Sequence, residues 1–269
     1  MSTTQQAGQD SVRRGAVIVT GAARRLGRAI ALDLAHHGWD VGLHVRRVDE
    51  DAESVALEIR SLGRQATLIE ADLSNQESVE RVVPAAIEAL GPLDGLVNSA
   101  STFVYDDIEQ FSYGNLAEQL AGNVGAPIVL ARVLHRAAAS RAAGAPPACV
   151  VNLLDNKLWN PNPDYLSYSC GKFALEGATR MLALALAPTV RVMGIAPGIT
   201  LPSGSMDQAQ FEAAHRRTPL GRSSTHSDIA EAVRFVLGNR AMTGTTLIVD
   251  GGQHLWPSRR DAQFSETGS

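Results

Sequence analysis

Residues 16–27 read AVIVTGAARRLG, and this stretch decides the fold. Ala16 to Thr20 is a short apolar, β-branched run without polar alternation, as a parallel strand buried on both faces requires. Gly21 follows at once, then Ala22-Ala23-Arg24-Arg25-Leu26-Gly27, then a helical stretch through His37 that carries Ile30, Leu32 and Leu34 and ends at Gly38. A glycine turn between strand and helix aims unpaired helix N–H groups at whatever lies over the turn, which suits a pyrophosphate. The spacing is imperfect: Gly21, Arg25 and Gly27 leave an arginine where a glycine would more often stand.

Working outward, apolar extended runs keep alternating with helical stretches. Extended runs fall at 40–45, 66–69, 93–98, 148–154, 190–195 and 246–249. Helical patterns fall at 49–62, 76–90, 115–143, 165–187 and 227–237. This alternation predicts a single-domain α/β fold of Rossmann type, a doubly wound seven-stranded parallel sheet with helices on both faces. Its expected span is 15–252, preceded by a flexible polar arm at 1–14 and followed by a polar tail at 253–269. The irregular stretch 198–225 is longer than most connections in compact domains, so a mobile lid with a short helix at 206–216 is expected.

Bulk properties exclude other classes. The 269 residues are 45% hydrophobic and 19% charged with a net charge of −4, so no basic field attracts nucleic acid or an anionic membrane. The longest strongly apolar run, Met181 to Ala187, is too short to span a bilayer, and the N-terminus has no hydrophobic signal core. Cys149 and Cys170 lack disulfide-scaffold or metal-ligand spacing, so no metal is expected. A cytoplasmic protein is the expectation.

The chemistry is concentrated at 155–172, DNKLWNPNPDYLSYSCGK. Tyr168 and Lys172 stand four apart, one helical turn on one face, if a helix starts near Tyr165. An ammonium there is expected to lower the phenol's pKa, which suits proton transfer to and from a substrate. The chain has two lysines and four tyrosines, with arginine carrying nearly all the positive charge. A lysine kept at this place suits a compact charge that sits under a phenol and still bonds a sugar hydroxyl. Cys170, between the two, is expected to point away. The end of the second strand reads His44-Val45-Arg46-Arg47, where an NAD site would usually place an acid. With Arg24 and Arg25 it predicts a cationic pocket for a 2′-phosphate, hence NADPH.

Together these stations resemble the short-chain dehydrogenase/reductase family over about 17–252. They are TGAARRLG at 20–27, Ala71-Asp72-Leu73, Asn98-Ser99-Ala100-Ser101, Asn123, Tyr168-x-x-x-Lys172, Ala196-Pro197-Gly198 and Val249-Asp250-Gly251-Gly252. The resemblance implies that Gly21, Arg24, Arg25, Leu26 and Gly27 form the cofactor turn. It implies that Asp72 and Leu73 hold the adenine, that Asn98, Ala100 and Ser101 line the nicotinamide ribose, and that Pro197 and Gly198 flank the nicotinamide. Lys172 would bind the ribose hydroxyls, Asn123 would hold a relay water, and a homotetramer is implied.

One departure stands out. The family's usual serine, thirteen residues before the tyrosine, is replaced here by Asp155. With Arg25, His44, Arg47 and Ser101-Thr102-Phe103, this resembles the pteridine reductase branch, in which an aromatic at the place of Phe103 stacks the pterin. Reducing a C=N bond needs hydride at carbon and a proton at nitrogen, and a carboxylic acid of raised pKa can relay that proton. The other reading of Asp155 is a loop acid capping a helix in a site that has lost its serine. The expectation is an NADPH-dependent reductase of a pterin-like or related conjugated heterocycle. The runner-up is an NADPH carbonyl reductase or alcohol dehydrogenase, and a third class is a non-catalytic NADP(H)-binding regulator.

Overall fold

The computed structural model describes residues 13–202 and 206–264. Most of the expected arm, residues 203–205 of the lid and residues 265–269 of the tail lie outside them. Arg13 and Arg14 belong to the fold rather than to the arm: Arg13 pairs with Asp40 at 2.5 Å, and the Arg14 N–H reaches the Gly38 carbonyl at 2.8 Å.

Seven strands form one parallel sheet: β1 (Gly15–Thr20), β2 (Trp39–Val45), β3 (Ala66–Glu70), β4 (Gly95–Asn98), β5 (Ala148–Leu153), β6 (Val190–Pro197) and β7 (Thr246–Val249). They lie in the order β3-β2-β1-β4-β5-β6-β7. The chain therefore reverses its winding between β1 and β4, and a crevice opens beyond the carboxyl ends of these two strands, where ligands bind in such sheets. Thr20 ties the crevice together, its hydroxyl accepting the Ser99 and Ala100 N–H groups at 2.9 and 3.0 Å.

The strand period of two sorts side chains onto opposite faces. Val17 and Val19 join one core with Ile30, Leu34, Ile229 and Val233. That core belongs to α1 (Arg25–His36), α2 (Glu50–Ser61) and α8 (His226–Gly238). Ala16 and Ile18 join the other with Val82, Val83, Leu130 and Leu134. It is covered by α3 (Gln76–Leu90), α5 (Ala126–Ala138) and α6 (Leu166–Leu186).

The helix expected at 115–143 is two helices. α4 (Tyr113–Leu120), capped by Ser112, runs into a π-turn at Ala121–Gly125, and α5 then ends at Ala138. Pro127 has no N–H to give the Asn123 carbonyl four residues earlier, so an uninterrupted α-helix is not available there. An inserted π-turn re-aims the residues it carries, Asn123 among them. The short helix expected at 206–216 is α7 (Gln208–Arg216), opened by a capping box on Asp207. On this helix the His215 Nε2 lies 3.2 Å from the Ser224 carbonyl. Among the described residues no helix is long and apolar enough to cross a membrane.

Candidate active site

α2, α3 and α8 are capped by Asp49, Asn75 and Thr225, each accepting a first-turn N–H, but α1 has no side-chain cap and no acid in its first turn. Its orphan N–H groups face the turn that Gly21 begins. Gly21 has φ 66°, and a Cβ there would sit 3.0 Å from the Ala100 Cα; at Gly27 a Cβ would meet the Gly21 carbonyl oxygen at 2.2 Å. Backbone alone fits, and the cradle this leaves is shaped for a pyrophosphate.

The expected cationic pocket is only partly present. His44 is buried, its Nδ1 accepts the Gly21 N–H at 3.3 Å, and its Nε2 lies 3.1 Å from the Ala71 carbonyl. Nδ1 is therefore bare and Nε2 carries the proton. Burial pulls the pKa of the ring below its usual value. His44 is a neutral brace between the glycine turn and the loop after β3. Arg24 lies on Asp51 and Asp49 at 2.5 and 2.6 Å, and Arg46 stands 3.4 Å from Asp72. Arg47 is exposed and, among the described residues, holds no ion pair. Arg25 gives a hydrogen bond to the Pro202 carbonyl at 2.8 Å, from a left-handed backbone at φ 50°. Asp72 accepts the Ser74 N–H and hydroxyl, and Leu73 packs on the core.

A cleft of about 1320 Å³ runs from this turn across the sheet's carboxyl edge. Single ligands of drug size fill pockets of about 300–1,000 Å³, so there is room for two molecules. Gly21, Arg24, Arg25, Leu26 and Gly27 line one end of it. Ala100, Ser101, Phe103, Pro197 and Gly198 line the middle, with Asp155, Tyr168 and Lys172 at its centre. His44, Arg46, Arg47, Asp72, Leu73, Asn98 and Asn123 stand behind this wall or beyond it. Asn98 is buried and donates to Asn152 Oδ1 at 2.8 Å, while its own Oδ1 has no partner among the described residues. Asn123 directs its carboxamide to Thr102, accepting the N–H at 2.8 Å and donating to the carbonyl at 3.0 Å, so the side chain holds the loop before Phe103.

At the centre, the Tyr168 hydroxyl donates to Asp155 Oδ2 at 2.9 Å, while Asp155 Oδ1 accepts the Lys157 N–H at 2.9 Å. Asp155 caps the short 3-10 turn Asn156–Leu158 and at the same time touches the phenol. Lys157 does not form an ion pair with it. Burial raises the Asp155 carboxyl above its ordinary value, against the hydrogen bonds of Lys157 and Tyr168 and the charge of Lys172.

The expected lowering of the Tyr168 pKa is overturned. Its phenol is pushed well above the ordinary value, first by burial and then by the charge and hydrogen bond of Asp155. Lys172 gives its hydrogen bond to the Leu153 carbonyl at 2.7 Å, with Nζ 5.5 Å from the Tyr168 ring centre. Burial brings that ammonium down to about 8, opposed by Asp155.

Two positioning residues escaped sequence reasoning. Tyr165 precedes α6 with φ 54°, left-handed for a bulky residue, and stacks on Phe103 at 4.0 Å. Asp106 is fully buried and takes the Ser167 N–H and hydroxyl at 2.9 and 2.5 Å, anchoring the helix that presents Tyr168. The helix therefore starts at Leu166. Cys170 is exposed, facing away as expected.

A family model described as enoyl-(acyl carrier protein) reductase matches residues 21–254. The chain is a short-chain dehydrogenase/reductase. Among similar structures, FolM alternative dihydrofolate reductase 1 from Brucella canis, complexed with NADP, superposes with a TM-score of 0.83 at 37% identity, covering 92% of this chain and 98% of that one. Pteridine reductase 1 of Leishmania tarentolae is 31% identical, over 88% of this chain and 96% of its own length. An oxidoreductase of Mycobacterium tuberculosis is 33% identical, over 87% and 90%. Like its relatives, this short-chain dehydrogenase/reductase is an oxidoreductase of the Rossmann-type fold.

Proposed function

We propose that the enzyme is an NADPH-dependent reductase of a pterin-like conjugated heterocycle, with Tyr168 as proton donor and Asp155 behind it. The observation that carries this reading is the 2.9 Å hydrogen bond from Tyr168 to Asp155, in the place of the family's serine. The similarity to an NADP-bound alternative dihydrofolate reductase and to a pteridine reductase supports it.

The residues present fit the cofactor. The uncapped α1 and the Gly21–Gly27 cradle suit its pyrophosphate, Arg25 and Arg47 supply positive charge, and Asn98 Oδ1, without a partner among the described residues, is a buried acceptor at the end of β4. NADPH, when bound, supplies the hydride. Lys172 stands where it can bond ribose hydroxyls, and Phe103 offers one wall to a flat ring. The raised pKa of Tyr168 keeps it protonated until substrate nitrogen gains negative charge. Asp155, hydrogen-bonded to the phenol, then relays a proton from solvent back to the phenolate.

The assembly that fits this chain is a cytoplasmic homotetramer. The outer face of α6 leaves Phe173, Met181 and Leu184 exposed by 46, 65 and 83%, an apolar stripe that a second copy would cover.

The test is NADPH oxidation with dihydropterins beside a panel of ketones. Reduction of a dihydropterin, lowered about 10²-fold or more in Tyr168→Phe and in Asp155→Ser, is expected. Ketone reduction that improves in Asp155→Ser, with no dihydropterin turned over, would instead make the enzyme a carbonyl reductase.

A further inference from the structure

One wall of the cleft belongs to none of the chemistry above. After β7 the chain turns at Gly252 and runs back over the loop between β5 and α6. There Asp164, with 2% of its side chain exposed, receives Arg260 two-pronged. Arg260 Nε lies 3.0 and 2.9 Å from the two carboxylate oxygens and Nη2 lies 2.8 Å from one of them. The Asp261 N–H adds a fourth bond at 2.6 Å. A buried carboxylate is tolerated only when its lone pairs are satisfied this fully.

The other lysine of the chain completes the clasp. Lys157 is buried, donates to the Asp164 carbonyl, and lies 3.5 Å from the Asp261 carboxylate. The Tyr165 hydroxyl donates to Gln263 at 2.5 Å, Asn160 donates to the Trp256 carbonyl at 2.5 Å, and the Phe264 ring meets Tyr105 edge-on at 5.2 Å. The strapped loop starts at Asp155 and ends at Tyr165, three residues before Tyr168. Trp256, Ser258 and Asp261 line the same cleft as Asp155 and Tyr168. Trp256 is about half exposed there, an aromatic face with nothing of this chain stacked on it among the described residues.

We infer that Trp256 to Asp261 form the specificity wall of the substrate cleft, held in place by the Asp164–Arg260 clasp. The wall meets the part of the substrate that projects away from the reacting ring, and the clasp fixes it relative to Asp155. Trp256 is the residue that touches that projecting group; Arg260 is a positioning residue that acts through Asp164. This inference rests on the reading of the site as a reductase of a flat heterocycle.

The experiment compares Trp256→Ala, Arg260→Ala and Arg260→Lys in the full-length enzyme. Kinetics use two dihydropterins, one bare and one carrying an alkyl side chain, and amide hydrogen exchange is followed over residues 156–165. Trp256→Ala is expected to raise KM about tenfold for the substituted pterin and to leave the bare one within about twofold. Arg260→Ala is expected to do the same and to speed exchange in 156–165, with Arg260→Lys falling between it and the native enzyme. NADPH affinity should hold in all three. Equal KM changes for both pterins, or none, would overturn the specificity wall, and unchanged exchange in Arg260→Ala would overturn the clasp. If the native enzyme reduces no pterin, the functional reading fails instead. The wall is then judged on whichever small and large carbonyl substrates it does reduce, by the same comparison.

Discussion

Asp155 uses one oxygen on the backbone of Lys157 and the other on Tyr168, so a single side chain both shapes the loop and, in the proposed mechanism, serves the proton donor. Its folded pKa is raised, so the native state holds its proton more tightly than the unfolded chain does. This group weighs least on stability below the ordinary carboxyl value, and its penalty grows as pH rises from that value to the raised one. Asp155→Asn is therefore expected to melt higher than the native enzyme near neutral pH, with the gap closing in acid, while its turnover falls. Thermal melts across pH check this, and a variant that melts lower at every pH would refute it. Lys172 moves the other way. Its ammonium is depressed to about 8, so it loses charge as pH rises through that value. NADPH should bind more weakly as pH rises through that value, and fluorescence titration of Lys172→Met should show no such inflection.

Among the elements, the glycine turn and the broken helix show what a sequence can and cannot reveal. The alternation of strand and helix, and the turn opening α1, are written in local pattern, because period two and period 3.6 differ over a few residues. The π-turn at 121–125 adds one residue to a helix without disturbing its apolar pattern, and only Pro127 hinted at it. The left-handed Tyr165 and the buried Asp106 leave no local trace, since each is explained by partners far away in the chain. Charge signs were legible at 44–47, but their partners were not. His44 became a neutral brace, and Arg24 and Arg46 found aspartates, because pairing depends on where α2 and the loop after β3 are placed. The prediction at this scale concerns Gly27. Gly27→Ala puts a methyl against the Gly21 carbonyl oxygen and must open the turn. A rise of about tenfold or more in the NADPH dissociation constant is expected, since loss of a well-placed phosphate contact is worth about 1.5–3 kcal/mol. Isothermal titration measures it; an unchanged constant would show that the turn does not carry the pyrophosphate.

For the whole molecule, the two cores on opposite faces of the sheet leave α6 with one side on the sheet and one apolar side bare. Light scattering of the native enzyme is expected to give the mass of four chains. Met181→Lys combined with Leu184→Lys should give smaller species, and a monomeric native enzyme would defeat the assembly. The joining of Asp164 to Arg260, 96 residues later, is likewise a property of the closed molecule that no window of sequence displays.

Arg25 sits in a backbone conformation that glycine adopts freely and arginine adopts at a cost of about 1 kcal/mol. From there it grips the Pro202 carbonyl at the edge of the lid. The cofactor turn is thus joined directly to the segment after β6. The expected kinetic consequence is an ordered sequence of arrivals, nucleotide before the second substrate. Its signature is product inhibition in which NADP competes with NADPH alone.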